Sequence, residues 1–279
     1  MYNLYEYKLY VYKNKKSGYK RAETGQYPKR NQRRRREGMA HINKRRTDTR
    51  LQIIRLGLKL FTEEGYTKTS AGRIAKELDI SPGNITFYFP TKEHLLAVLT
   101  EELCDFQWLM LEQEVAEGKS SMLSYCLELV AVAAICEEDE VARDFYRSLY
   151  SSPICLKVIR ENDAEKCKDI FGEYRPDWND LRWQYTENLV SGIEFATLMT
   201  DGNEIPLNIQ IEGALSTILG IYGVPDELKA IKIQKALSMD YRALGRRMLR
   251  EFREYIDNVN EAALDEARER RKNKKTAKI

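Results

Sequence analysis

The sequence predicts an all-α protein in which an N-terminal helix-turn-helix unit of three helices precedes a larger helical domain. After residue 46, apolar residues recur at steps of three and four, as they do along one face of a helix. No strand-like alternation of apolar and polar residues occurs in the same part of the chain. Glycines and prolines fall mostly between the periodic segments, where they end one helix and begin the next.

Composition excludes several classes of protein. The 279 residues are 43% hydrophobic, which is enough for a sizeable core. No apolar run approaches the 18 residues of a membrane span, and the N-terminus has no apolar stretch typical of a signal peptide, so we expect a cytoplasmic protein that does not contact a membrane. His41 and His94 are the two histidines, so neither a histidine-based metal site nor a cofactor is predicted.

The cysteines are predicted to be reduced core residues. There are five of them, an odd number, and no pair has C-x-x-C spacing. A thiol nucleophile or a redox switch is the alternative, but no histidine lies near any of them in sequence to activate the sulfur. The five are Cys104, Cys126, Cys136, Cys155 and Cys167.

Charge is distributed unevenly along the chain. Residues 1–50 contain 16 Lys/Arg and 4 Asp/Glu, a net charge of +12, and the remaining residues therefore have a net charge of −9. Residues 1–46 are predicted to be a basic extension without a packed fold. For residues 1–38 two interpretations stay open: a basic arm, or translation of a ribosome-binding site at 34–38 with Met39 as the true start. The basic tail, residues 259–279, is either a solvated end or a second DNA contact.

The predicted DNA-binding domain covers residues 47–92. A first helix at 49–64 ends at Gly65, and Thr69 or Ser70 caps a second helix. Ser81 and Pro82 begin a third helix, which ends before a proline at position 90. A tight turn between two such short helices is typical of a helix-turn-helix, whose second helix presents its first residues to a major groove of DNA.

Residues 51–103 resemble the DNA-binding domain of the TetR family of bacterial regulators. The matching runs are IIRLGLKLFTEEGY (53–66), TSAGRIAKELDIS (69–81) and PGNITFYFPTKEHLL (82–96). Three positions depart from the family pattern: Asp79 replaces the usual turn glycine, Thr86 a common aromatic residue, and Gly72 a frequent basic residue. The candidate DNA-contacting residues are Thr69, Ser70, Ser81, Pro82, Gly83, Asn84, Thr86, Phe87, Tyr88 and Lys92.

Individual chemistry supports some of these candidates. Gly83 lets the backbone approach DNA, and the Asn84 amide suits an adenine edge. Helix N-termini near Ser70 and Lys92 favour a phosphate. Phe87 and Tyr88 have packing in the core as their alternative role.

Residues 93–258 are predicted to form a helical ligand-binding and dimerisation domain. The resemblance implies a small ligand bound among its first helices and two late helices that pair with a second subunit. The last segment either braces the dimer or caps the body. The predicted helices are 92–117, 120–137, 140–151, 153–172, 178–200, 207–222 and 225–258.

Candidate residues in this domain have core packing as their alternative. The predicted pocket is lined by Phe106, Trp108, Met110, Leu129, Phe145, Tyr146 and Leu149. The predicted dimer interface consists of Ile211, Leu215, Ile218, Leu219 and Tyr222, for which burial within one subunit explains the pattern equally well.

The expected function is that of a ligand-responsive DNA-binding regulator, most simply a repressor. It would bind a palindromic site on double-stranded DNA as a homodimer and respond to a small-molecule effector of unknown identity. An alternative is a DNA-binding protein controlled by a protein partner. An all-α enzyme is the remaining class, but the sequence has no nucleophile–base pair, phosphate loop or metal-ligand spacing, so no enzyme activity is predicted.

Overall fold

The computed structural model describes residues 48–115, 121–199, 205–259 and 264. The predicted basic extension, the possible start at Met39 and most of the basic tail lie outside the described residues. All the elements discussed below, apart from the first three residues of the first helix, lie in one compact unit within residues 51–279.

The predicted helix-turn-helix is present. Helix α1 covers residues 48–60 and continues into a π-helical turn at Phe61–Gly65. Helix α2 follows at Ala71–Glu77, and α3 follows at Pro82–Tyr88. The sequence-based prediction of three helices in this region is therefore confirmed.

The predicted caps fix the ends of the two short helices. The Ser70 hydroxyl accepts a hydrogen bond from the Arg73 backbone N–H at 3.1 Å, and the Ser81 hydroxyl accepts one from the Asn84 N–H at 3.3 Å. Each bond satisfies a donor that a helix N-terminus leaves without a partner. Since Ser70 performs this role in α2, Thr69 is not its cap.

Asp79 stands at the left-handed position of the turn between α2 and α3, with φ of 52°. The next residue, Ile80, donates its N–H to the Ala75 carbonyl at 3.0 Å, and Asp79 donates to the Lys76 carbonyl at 3.2 Å. This is a Schellman motif, which usually has glycine at the left-handed position. Asp79 tolerates that conformation, so the turn is kept despite the departure from the family pattern.

Eight further helices form the body, and their order follows the sequence. They are α4 (Lys92–Glu114), α5 (Met122–Glu138), α6 (Glu140–Ser151), α7 (Pro153–Phe171), α8 (Asp180–Leu198), α9 (Leu207–Ile221), α10 (Asp226–Ser238) and α11 (Tyr241–Asn258). A 3₁₀ turn at Gly172–Tyr174 extends α7. Within the described residues every regular element is helical.

Helix α5 is the centre of the body. All but three of its residues are buried, and it packs against α4, α6, α8, α9, α10 and α11. A helix that is apolar on every side is expected to be enclosed by others. The longest apolar run of the sequence therefore serves the core and not a membrane. No described helix is both long enough and apolar enough to cross a bilayer.

The segment predicted as one helix over 225–258 is in fact two, and this corrects the prediction. Met239 is extended, and the Asp240 carboxylate accepts a hydrogen bond from the Ala243 N–H at 3.0 Å, which begins α11. The periodic apolar residues continued across the break and concealed it. The N-cap aspartate was the available sequence signal. The break lets α10 pack against α9 while α11 packs against α4 and α5.

Gly245 marks the closest approach of α11 to α5. A Cβ added there would lie 2.4 Å from the Ala131 carbonyl oxygen, so the helices would have to separate.

We expect Gly245→Ala to lower the free energy of unfolding by about 1–3 kcal/mol. At Gly72, where the nearest heavy atom to an added Cβ is 3.9 Å away, the same change should raise it by up to about 1 kcal/mol. Urea denaturation of both variants measures this, and equal effects would contradict the close packing.

The left-handed Asp79 gives a second stability prediction. Asp79→Gly should raise the free energy of unfolding by roughly 0.5–1 kcal/mol, because glycine adopts positive φ without strain. Asp169→Gly, at an exposed position within α7, is the matched control and should lower it by about 1 kcal/mol. Thermal unfolding of the two variants should shift in opposite directions, and a loss of stability in Asp79→Gly would refute the assignment of strain to this turn.

Candidate functional site

The N-terminal half of α3 is exposed, uncharged and rigidly held. Pro82, Gly83, Asn84 and Thr86 are exposed, and Phe87 retains 50% of its accessible surface. On the opposite side of this helix, Ile85 is 3% exposed and anchors it to the core. A capped, anchored helix start that exposes amide, hydroxyl and aromatic side chains has the form of a surface that reads base edges.

Phe87 and Tyr88 lie in different environments. Their rings contact each other edge to face at 5.0 Å, with Phe87 the more exposed and Tyr88 half-buried. The sequence left DNA contact and core packing open for both residues. Phe87 is too exposed for core packing, whereas Tyr88 is packed on one side and partly exposed on the other.

Two of the candidate DNA-contacting side chains instead form hydrogen bonds within the protein. Thr69 is 1% exposed, and its hydroxyl donates to the Gly65 carbonyl at 2.8 Å. The Lys92 ammonium donates to the Tyr66 and Thr69 carbonyls, both at 2.9 Å, and lies 3.8 Å from the centre of the Tyr66 ring. Burial lowers the pKa of Lys92. These side chains position the loop before α2.

Exposed positive charge near α3 comes from residues that sequence reasoning did not select. Lys68, which precedes α2, and Lys76, in the last turn of α2, are both exposed. Arg73, by contrast, forms ion pairs with Glu64 and Glu77, so it does not replace the basic residue missing at Gly72 as a free cation. Lysines are common on protein surfaces, and nothing in the sequence around Lys68 or Lys76 distinguished them from other surface lysines.

Three side chains, Asp144, Arg253 and Arg55, form hydrogen bonds between the helix-turn-helix and the segments of α6 and α11. The Asp144 carboxylate of α6 accepts hydrogen bonds from the Thr67 backbone N–H, at 2.8 Å, and from the Thr67 hydroxyl. Arg253 of α11 donates to the hydroxyl and the carbonyl oxygen of Thr62, at 2.7 and 2.5 Å. Arg55 of α1 donates to the Ile256 carbonyl at 3.3 Å and to that of residue 259 at 2.8 Å. These bonds connect residues distant in sequence, and no local pattern predicted them.

An internal cavity of about 50 Å³ lies in the body. Residues from α4, α5, α6, α7 and α8 form its walls. Its apolar lining consists of Leu103, Leu129, Val132, Leu149, Ile159 and Leu198. Its polar lining consists of Thr100, Cys104, Gln107, Tyr125, Glu128, Tyr146, Tyr150, Asp163, Lys166 and Glu194.

The single cationic side chain of the cavity wall already has partners. The Lys166 ammonium forms an ion pair with Glu128 and lies 4.4 Å from the centre of the Trp108 ring. Burial lowers the pKa of Lys166, but Glu128 and Asp163 outweigh it, so the net effect raises the pKa and the ammonium stays charged. Lys166 therefore neutralises one carboxylate of the wall and leaves two.

Those two carboxylates, Asp163 and Glu194, are held differently. Glu194 accepts hydrogen bonds from the hydroxyls of Tyr125, at 3.3 Å, and Tyr150, at 3.1 Å. Burial, with help from Glu187 and Glu128, raises the pKa of Glu194 to about 8. Burial also raises the pKa of Asp163 well above its usual range, although Lys166 opposes the shift.

The cavity includes part of the predicted pocket. Leu129, Tyr146 and Leu149 line it, and the other four predicted residues do not. Phe106 packs on Phe252 and Tyr255, with ring centres 5.5 Å from each. Trp108 covers the Lys166 ammonium, and Met110 and Phe145 are buried in the core. The polar lining was missed because buried acidic residues in amphipathic helices look like surface residues in the sequence.

The predicted dimer residues are buried inside one subunit, which corrects the choice of interface. All five are 0% exposed, because this side of α9 faces α5, α8 and α10. Tyr222 stacks on Phe171 with ring centres 4.5 Å apart and donates its hydroxyl to Glu187 at 2.5 Å. The exposed apolar residues on or beside α8 and α9 are instead Leu181, Tyr185, Leu189, Ile205 and Ile209.

The described residues contain no group of three or more His, Cys, Asp or Glu arranged to hold a metal ion. Four of the five cysteines are buried and none forms a disulfide among the described residues. Burial raises the pKa of Cys104, in the cavity wall, well above its usual value, which keeps the sulfur protonated and a poor nucleophile.

Comparison with known sequences identifies the helix-turn-helix. Residues 53–99 match the family model described as bacterial regulatory proteins, tetR family. The HTH-type transcriptional regulator YuxN of Bacillus subtilis strain 168 is 36% identical over 80 residues, 29% of this chain and 28% of that protein. The HTH-type transcriptional regulator HbdR of Aromatoleum sp. strain CIB is 32% identical over 114 residues, 40% of this chain and 48% of that protein. The match thus spans less than half the length of either relative.

Two solved structures are similar to the chain at low sequence identity. Thermus thermophilus FadR, a TetR-family repressor in complex with lauroyl-CoA, is 19% identical with a TM-score of 0.47, and the match covers 61% of this chain and 93% of FadR. Salmonella enterica GusR is 18% identical with a TM-score of 0.38, and the match covers 74% of this chain and 96% of GusR. The helix-turn-helix segment at residues 53–99 is thus similar to that of the bacterial regulatory proteins of the tetR family.

Proposed function

We propose that the protein is a DNA-binding transcriptional regulator of the cytoplasm that acts as a homodimer, represses transcription and responds to a small effector. Residues 47–92 are the proposed DNA-binding domain, and residues 93–258 are the proposed effector and dimerisation domain. The observation that carries the proposal is the exposed, uncharged start of α3 on an anchored helix-turn-helix, within a segment that matches a family of regulators.

Roles in DNA binding follow from exposure. Asn84, Thr86 and Phe87 are the proposed base-contacting side chains, with Gly83 allowing close approach. Ser70, Ser81 and Pro82, together with the partly exposed Tyr88, border the same surface. Lys68 and Lys76 add phosphate contacts, whereas Thr69 and Lys92 act through the loop that they hold.

Two copies of α3 are needed to read a palindromic site on one face of DNA, about 34–36 Å apart. The exposed apolar sides of α8 and α9 are the proposed dimer surface. Three of the exposed residues of α8, Leu181, Tyr185 and Leu189, stand four positions apart and therefore share one helix face. Apolar groups of this size on neighbouring helices favour contact with a second copy.

The effector would act through α4 and α6. Helix α4 begins at Lys92, which holds the loop before α2, and its residues from Thr100 to Gln107 line the cavity. Helix α6 contributes Tyr146 and Tyr150 to the cavity, and it contributes Asp144 to the joint with Thr67. A ligand that binds one spacing of the two DNA-binding domains better than another would change operator affinity.

No catalytic step is assigned to the protein. No histidine lines the cavity, and its cysteine is held as a thiol. The cavity also favours a small effector over control by a protein partner alone.

Asn84→Ala tests recognition. We expect a loss of about 1–3 kcal/mol in binding to DNA from upstream of the gene, and relaxed preference at one base position, because an amide pairs with an adenine edge in two hydrogen bonds. Gel-shift titrations on specific and random duplexes measure both. Asn258→Ala, at an exposed position of α11, is the control and should bind like the parent protein. An equal loss on random DNA would show that Asn84 does not read bases, and the parent protein's binding should weaken steeply with salt.

Leu189→Glu tests the dimer surface. A charge placed there should raise the dimer dissociation constant about tenfold or more, because a buried charge without a partner opposes association. Sedimentation velocity over a concentration series measures it. Leu109→Glu makes the same change at another exposed leucine, 59% exposed on α4, and should leave the dimer intact. Dimerisation that is equally strong in both variants would place the interface elsewhere.

A further inference from the structure

The cavity walls offer hydrogen-bond acceptors that have no donors. Within residues 48–115, 121–199 and 205–259, no group donates a hydrogen bond to the Asp163 carboxylate. Gln107 is 5% exposed and donates through Nε2 to the Tyr146 hydroxyl at 3.4 Å, while no donor from the same ranges reaches its Oε1. These acceptors line the cavity, so a bound molecule that supplies N–H or O–H groups can reach them.

The charged side chains of the cavity wall indicate the sign of the charge that a bound molecule would carry. Glu128, Asp163 and Glu194 carry up to three negative charges, and Lys166 is the balancing cation among the lining residues. Because Lys166 pairs with Glu128, the remaining imbalance belongs to Asp163 and Glu194. A cation would stabilise the ionised forms of these two acids, whereas an anion would oppose their ionisation.

Size and apolar lining limit the rest of the molecule. The cavity of about 50 Å³ is a third of the roughly 150 Å³ that accommodates benzene, so a methylammonium-sized head fits without rearrangement. A longer alkyl chain would contact the leucine, valine and isoleucine side chains of the wall. It would also have to displace residues of the wall, which includes α4 and α6, two of the helices that contact the helix-turn-helix.

We infer that the effector is an organic ammonium ion, whose head binds Asp163, Glu194 and Gln107 and whose short apolar chain lies along the leucine-lined wall. This rests on the proposed function as a ligand-responsive regulator and names the chemical class of its ligand. The bond formed is an ion pair with hydrogen bonds, and no covalent step is involved.

Binding of such a cation is linked to proton release. The groups that face Glu194 are Tyr125 and Glu128 of α5, Tyr150 of α6, Asp163 and Lys166 of α7, and Glu187 of α8. In the empty cavity, burial raises the pKa of Glu194 to about 8 and also raises the pKa of Asp163, so protons compete with a cation for these carboxylates. A cation favours their ionised forms, so affinity should rise from pH 6.5 to pH 8.5, where an alkylamine is still protonated.

The test uses the full-length protein without DNA and three probes that share a four-carbon chain: butylammonium, butanol and butyrate. We expect butylammonium to raise the melting temperature and to bind in calorimetry with release of protons, measured by comparing buffers of different ionisation enthalpy. Methylammonium should bind more weakly, and butanol and butyrate should not bind measurably. Binding of butyrate that equals or exceeds that of butylammonium, or no binding of either ammonium ion, would overturn the inference.

Three variants locate the site. Asp163→Asn and Glu194→Gln should each weaken butylammonium binding about tenfold to a hundredfold, because a charged hydrogen-bond partner is lost. Asp169→Asn, at an exposed position of the same helix α7, should bind like the parent protein. If binding is unchanged in both cavity variants, the ammonium ion lies elsewhere and the inference fails.

The stability of the ligand-free Asp163→Asn variant shows whether Asp163 serves ligand binding or stabilises the fold. The folded state binds more protons than the unfolded state where the pKa of an acid is raised, so Asp163 lowers stability as pH rises above its ordinary pKa. Asp163→Asn should therefore raise the melting temperature of the ligand-free protein at pH 8. A lower melting temperature would identify Asp163 as a structural partner of Lys166.

DNA binding distinguishes the two proposals. If the protein binds its upstream DNA but no ammonium ion, the proposed regulatory function stands and the assignment of the effector fails. If it binds butylammonium but shows no preference for any duplex, the assignment of the cavity stands and the proposed regulatory function fails. Release of DNA by butylammonium from the parent protein, but not from Asp163→Asn, supports both.

Discussion

The hydrogen bonds between Asp144 and Thr67 join the helix-turn-helix to the body, and the proposed response to an effector depends on them. Asp144 lies on α6, two and six positions before the tyrosines that line the cavity. A helix is stiff over such a distance, so a displacement at one end is carried to the other. Arg253 and Arg55 add bonds from α11 and α1, which limits the motions available to the DNA-binding domain.

Stability and function place different demands on the cavity. A core filled with leucine would be simpler to fold than one containing Glu128, Asp163 and Glu194, because buried charge must be paired or neutralised. Lys166 pairs with one carboxylate, and tyrosine hydroxyls hold another. Asp163 is the group for which the fold supplies no donor among the described residues, and unsatisfied groups of this kind tend to occur where a protein binds something.

Helices α8 and α9 show why an apolar pattern does not identify an interface. Ile211, Leu215 and Ile218 have the spacing of a packing face, and the same spacing fits contact with a neighbouring helix or with a second subunit. The fold uses that face within the subunit and leaves Leu189 and Ile209 exposed. Apolar periodicity indicates which residues are buried. It does not indicate whether a helix of the same subunit or a second subunit buries them.

The sequence by itself determined the local structure: the helices, the serine caps of α2 and α3, the left-handed Asp79 and the exposed start of α3, because each depends on residues within a few positions of one another. Tertiary structure decided everything that joins distant segments. It brought Asp163 and Glu194 into one cavity, tied Arg253 to Thr62, and separated α10 from α11 so that each packs on different neighbours. Charged residues on amphipathic helices have the same local pattern whether they face water or a cavity, so only packing distinguishes the two.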